Sequence, residues 1–323
     1  MMMDGPDALS AALRAVSFTL LFNAAGIPIF LAAFGHLVPR RLPDVRKLGW
    51  TLAISAMVFV AAHQALEAAR MAGEMNGILD PAMQMMALES RTGAAFAARM
   101  VGLALVAIGL RRRAGASTAS GLHPASMASA AGPAVAPMSA TAGPTTEGPT
   151  TALTSTTAAL AGTLLTVISF TLQGHTTTTP HRAAAAALLV LHLSVVAFWL
   201  GALWPLYIAA KKEPPAIAAR VIDRFSVTAT WLVPLILLSG IGLAAILLPS
   251  LDTFRQPYGQ LILAKVVGFA VLMAMASLNK WSFGPACAAG NTSAFERTVI
   301  VEFILISVVL TATAIMTMFY SPD

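Results

Sequence analysis

The chain has 323 residues, 57% of them apolar and 11% charged, with a mean hydropathy of +0.77. Soluble domains carry about 25% charged residues, so this composition excludes a water-soluble globular protein and a disordered chain. A single cysteine, Cys287, excludes a disulfide scaffold. The net charge of +6 and pI near 10 would suggest nucleic acid for a soluble chain. Here the basic residues cluster between apolar segments. The bilayer is therefore the expected partner, and nucleic acid is not.

Eight apolar segments follow one another at 12–36, 48–71, 93–110, 153–173, 184–209, 226–248, 259–279 and 298–319. Each approaches the roughly 20 residues needed to cross about 30 Å of hydrocarbon as a helix. The expected fold is all-α: a polytopic membrane bundle of eight transmembrane helices. The first ten residues carry Asp4 and Asp7 and no basic residue. A cleaved signal peptide has a positive start and a short apolar stretch, so segment one is expected to remain in the membrane.

Most of the 20 basic residues fall in alternate loops. Arg40, Arg41, Arg46 and Lys47 follow segment one, and Arg111, Arg112 and Arg113 follow segment three. Lys211, Lys212, Arg220 and Arg224 follow segment five, and Lys280 and Arg297 flank the loop after segment seven. The positive-inside rule puts these loops in the cytoplasm and both termini outside, in the periplasm.

Residues 114–150 are rich in Ala, Ser, Thr, Gly and Pro and carry no helical stripe. They read as a flexible cytoplasmic linker between a three-helix part (1–113) and a five-helix part (151–323). Pro28, Pro205 and Pro234 interrupt segments and are expected to kink them. Ser239-Gly240-Ile241-Gly242 gives segment six small residues that allow close helix approach.

Polar residues within spans are expensive and are usually paired or functional. His63, Glu67, Met71 and Met75 are spaced by four along segment two, which puts them on one slowly drifting face. His181 and His192 are close to three helical turns apart, so they share a face of segment five, with His192 roughly 15 Å deeper. Trp199 continues that stripe, and His175 closes segment four. These four histidines fall in the outer half of the membrane or at its outer surface. Met71, Met75, Met83, Met85 and Met86 lie in or beside the second, external loop, and Met316 and Met318 end segment eight on the same side. Thioethers are soft ligands that select Cu(I), and methionine beside histidine suits copper capture. The residue pattern leaves Cu(I) and Cu(II) both open.

Arg99 and Lys265 lie several residues inside their segments, where they either pair with Glu67 or another carboxylate, the favoured reading, or snorkel to the surface. Glu302, deeper in segment eight, is expected to pair with Arg224, Lys280 or Arg297. On the cytoplasmic side His36 and Cys287 are candidate exit ligands. The chain has no G-x-x-x-x-G-K-[ST] phosphate loop and no catalytic constellation. No enzymatic activity is expected, and any transport runs downhill or is coupled to an ion. Facing histidines at similar depth also suit the axial positions of a b-type haem. A haem-binding membrane redox protein is therefore the alternative.

Several motifs in the second half resemble the copper resistance protein D family, CopD or PcoD. They are Gly174-His175, His192-Leu193, Phe198-Trp199-Leu200-Gly201, Arg224-Phe225-Ser226, Pro257-Tyr258-Gly259-Gln260, Lys265 and Asn279. The resemblance covers roughly residues 170–320. It implies a multi-pass protein of the bacterial inner membrane that moves copper from periplasm to cytoplasm. It also implies a periplasmic CopC-like copper-binding partner encoded separately. The long linker departs from the compact family pattern. A role for His63 rests on its helical position rather than on a motif.

Overall fold

A computed structural model describes residues 5–111, 149–174, 177, 179–248 and 250–320. The linker expected at 114–150 lies outside the described residues except for its last two positions, which begin a helix. The described residues are helical, with short 3-10 and π turns and no strand.

The helices are α1 (Gly5–Phe34), α2 (Leu42–Ala72), α3 (Pro81–Glu89), α4 (Arg91–Leu110), α5 (Pro149–Ile168), α6 (Arg182–Lys212), α7 (Pro215–Leu232), α8 (Pro234–Leu247), α9 (Pro257–Leu278), α10 (Gly284–Ala288) and α11 (Ser293–Phe319). Eight segments are long and apolar enough to cross a membrane: α1, α2, α4, α5, α6, α7 with α8, α9 through α10, and α11. They correspond one to one with the eight apolar segments of the sequence.

Local chemistry sets the boundaries. Helix α2 stops at Gly73, whose φ of 75° is readily adopted by glycine at a helix C-terminus. Asp80 caps α3 by accepting from the backbone N–H of Ala82 and Met83, and Pro81 occupies the first turn. Ser90 caps α4 through Gly93 N–H. Met83, Met85 and Met86 therefore sit on a short helix rather than in an irregular loop. Pro234 separates α7 from α8, whereas α1 runs through Pro28 and α6 through Pro205 without a break.

Helix α1 is the centre of the bundle. Leu21, Phe22, Ala24, Ala25, Ile27 and Phe30 are almost completely buried. The helix packs on α2, α4 and α5 on one side and on α6 and α11 on the other. At Gly26 it meets α6 backbone to backbone: a Cβ there would fall inside the Ala197 carbonyl, and one on Gly201 would fall on Gly26.

The two ends of the bundle differ in charge. At one, called here the basic end, Arg41 donates to the Lys212 carbonyl at 2.8 Å and lies 3.6 Å from Glu213, while Lys212 lies 3.9 Å from Asp44. These contacts join the loop after the first span to the loop after the fifth. At the other, the terminal end, Arg70 bonds Asp7 at 3.0 Å and Arg91 donates to Thr177 Oγ1 at 3.2 Å.

Candidate functional site

A cavity of about 740 Å³ opens toward the terminal end, between α1, α2, α4, α6, α8, α9 and α11. Its walls are mostly Leu, Ile, Val and Phe, and its polar lining includes His63, Glu67, Arg14, Arg70, Arg99, His192 and Lys265. Helix α8 packs on α6, and α9 packs on α11. Exposed Leu237 and Ile241 of α8 and Leu263 and Val266 of α9 line the cavity, so this flank also faces lipid.

His192 reaches the cavity from α6. Its Nδ1 lies 2.9 Å from the Ile236 carbonyl and 3.2 Å from Ser239 Oγ. A carbonyl only accepts, so Nδ1 carries the proton and donates. That tautomer leaves Nε2 with a free lone pair, the form in which imidazole binds a metal. Gly240 of the small-residue stretch sits against this ring: a Cβ added there would lie 3.6 Å from Cε1.

His63 reaches the same cavity from α2. Its Nε2 is buried without a hydrogen-bond partner and lies 3.6 Å from Glu67 Oε1, one helical turn on. Glu67 is held by Arg70 through both oxygens, at 3.1 and 3.2 Å, and Arg70 also bonds Asp7. The α2 stripe is therefore a His–Glu–Arg cluster tied to the start of α1.

Neither deep cation takes a carboxylate, contrary to the pairing expected with Glu67. Arg70, one turn away on the same helix, occupies that acid. Arg99 donates to Ser169 Oγ at 3.2 Å and stacks its guanidinium 4.3 Å from the centre of the Phe170 ring, and its Nη2 is buried without a partner. Lys265 donates to the Met316 thioether at 3.4 Å. Arg14 lies over Phe18 at 5.4 Å. Arg14, Arg70, Arg99 and Lys265 line the cavity against one carboxylate, Glu67, so its formal charge is positive, and it also presents imidazole and thioether groups.

Trp199 forms the floor. It is 4% exposed, and its indole N–H donates to Glu302 Oε2 at 3.3 Å. Glu302 accepts a second bond from Asn279 Nδ2 at 2.6 Å. The expected ion pair of Glu302 with Arg224, Lys280 or Arg297 does not form. Lys280 turns to Thr230 Oγ1 at 2.8 Å, and Arg224 and Arg297 are exposed.

The remaining sequence candidates are not gathered here. His181 is exposed at the start of α6 and does not line the cavity. Met71, Met75, Met83, Met85 and Met86 also lie off its wall, all but Met83 exposed. His175 lies outside the described residues. The methionines that do line it are Met316 and Met318 of α11, which the sequence puts on the same side as the histidines. His36 is exposed at the basic end. Cys287 is fully buried in α10, its thiol donating to the Phe283 carbonyl at 3.3 Å. Among the described residues no three His, Cys, Asp or Glu side chains are grouped closely enough to form a metal site.

No curated protein and no solved structure matches the chain. Residues 219–316 match the family described as copper resistance protein D, and residues 2–143 match the N-terminal domain described as copper resistance protein D-like. The two matches take in the helices that carry His63, Lys265, Glu302 and Met316. The chain belongs to the copper resistance protein D family.

Proposed function

We propose that this protein carries copper from periplasm to cytoplasm across the bacterial inner membrane, and that the cavity at the terminal end receives it. The observation that carries the reading is that His63 and His192, 129 positions apart in sequence, line one cavity in a chain of the copper resistance family. The basic end faces the cytoplasm on the positive-inside rule, so the cavity faces the periplasm. His192 Nε2, His63 Nε2 and the Met316 and Met318 thioethers are the ligands within reach of the cavity. Thioether is a soft ligand that selects Cu(I), and imidazole binds copper as well. His175, His181 and the methionines of α2 and α3 serve as surface capture residues. A separate CopC-like periplasmic protein delivers copper to them, and His36 and Cys287 lie on the exit side.

The test is cellular copper accumulation with His192→Ala and His63→Ala, each checked for wild-type amounts of membrane protein. A several-fold drop in copper is expected for each. Normal accumulation in both, at normal protein level, overturns the reading.

A second reading, a b-type haem protein, is favoured by one feature of the cavity. The same two histidines share it with Arg14 and Arg99, which suit propionates. A Soret band in the purified protein that disappears in His192→Ala, with iron and no copper, would replace the copper reading.

A further inference from the structure

A second cavity, of about 250 Å³, lies toward the basic end, lined by residues that include Phe225, Thr230, Met273, Asn279, Lys280 and Glu302. Four helices, α6, α8, α9 and α11, continue from one cavity to the other, α8 from Ile236 to Pro234. On α9 the lining passes from Leu272 to Met273, and on α11 from Ile306 to Glu302. On α6 the change falls on one side chain: among the described residues, Trp199 alone lines both cavities. The Trp199 indole borders both cavities, with Phe269 edge-on at 6.5 Å and a hydrogen bond to Glu302.

Glu302 is 3% exposed, and among the described residues no basic group lies within 4.0 Å of its carboxyl. Both oxygens instead accept from neutral N–H groups, Trp199 on α6 and Asn279 at the end of α9. Asn279 Oδ1 is itself occupied by Thr298 Oγ1. Asn279 opens a π-helical turn, Asn279–Phe283, a local widening often found where helices carry function. The ionisable groups on the packed elements turn elsewhere. Lys280 bonds Thr230, Glu296 accepts from Thr292, the Cys287 thiol donates to Phe283, and Arg224 and Arg297 are exposed.

We propose that Glu302 is a proton-binding site in the wall between the two cavities, and that it exchanges its proton against the cation that crosses this wall. A carboxylate within a span is costly without a counter-charge, while two N–H donors hold it in place. One positive charge entering either cavity therefore decides its state. As a cation approaches, the carboxyl O–H bond breaks, the electron pair stays on oxygen, and the proton leaves through the cavity at the terminal end. When the cation departs through the cavity at the basic end, the carboxylate takes its next proton from that side, so one proton crosses against each cation. Oxygen is a hard ligand that suits a proton better than soft Cu(I), so copper stays on imidazole and thioether donors and Glu302 supplies the coupled charge. Trp199, which borders both cavities, is the positioning residue that donates to Glu302.

The coupling step rests on the copper-transport reading; the proton site itself does not, and the experiment separates them. The full chain is reconstituted in vesicles holding a copper-sensitive and a pH-sensitive dye, and Cu(I) is added outside. Wild type is expected to move protons in step with copper. Glu302→Gln should lower the protons moved per copper at least tenfold, and Glu302→Asp should retain them. An equal ratio in wild type and Glu302→Gln overturns the proposal. The infrared spectrum of the same proteins is recorded across pH without copper. A carboxylic C=O band that titrates in wild type and is missing from Glu302→Gln supports the proton site even if no copper crosses. Identical spectra overturn it.

Discussion

At the residue scale, hydrogen-bond partners decide what a polar group in the bundle can do. His192 presents an unprotonated Nε2 because its Nδ1–H donates to the Ile236 carbonyl. Trp199 and Glu302 depend on each other: Trp199→Phe keeps an aromatic ring in place but leaves a buried oxygen without its donor. This variant is expected to lose about 1–3 kcal/mol of stability, read as a lower midpoint on heating in detergent. An unchanged midpoint would mean that the indole bond contributes nothing. Cys287 is fully buried. Its thiol should react with N-ethylmaleimide far more slowly in native protein than after denaturation. Equal rates would mean that the thiol is accessible in the folded protein.

At the element scale, α1 and α6 cross at Gly26 and Gly201, where backbone touches backbone. Helices in lipid gain little from hydropathy when they associate and rely on close packing of small residues. Gly26→Leu or Gly201→Leu should cost about 3 kcal/mol by overpacking and reduce the fraction of protein that remains soluble after heating in detergent. Gly240→Ala is the control, because its added Cβ makes ordinary contact with His192 at 3.6 Å. Equal losses in all three would remove the special role of the α1–α6 crossing. The glycines of α8 stand out in sequence as a small-residue stretch. Gly26 and Gly201 lie singly among apolar residues, and nothing local marks them as partners.

At the scale of the whole molecule, charge sets orientation. With Cys287 replaced by serine, a cysteine at the exposed position of Lys47 should label only from the cytoplasm, and one at exposed Glu74 only from the periplasm. The opposite pattern would invert the bundle and with it the direction assigned to the cavity. The match of residues 2–143 to the family's N-terminal domain extends the relationship to helices where sequence motifs alone had carried none. The packing agrees with one functional unit: α1 joins α2 and α4 to α6 and α11, and the cavity takes His63 from one part of the chain and His192 from the other.

Sequence by itself determined the eight spans and the contrast in charge between their connecting loops. A membrane helix satisfies its backbone within its own segment, so length and hydropathy locate it without knowledge of its neighbours. The stripe His63–Glu67 was legible for the same reason, since spacing by four is a local property. Only the tertiary structure decided which polar groups meet. The i+3 arginine took Glu67 before Arg99 could, Glu302 settled on indole and amide donors, and Met316 rather than the loop methionines reached the cavity. Each of these outcomes depends on the rotation and depth of one helix against another. In lipid those are set by close packing along whole faces, such as the Gly26–Gly201 crossing, and not by the hydropathy of any segment.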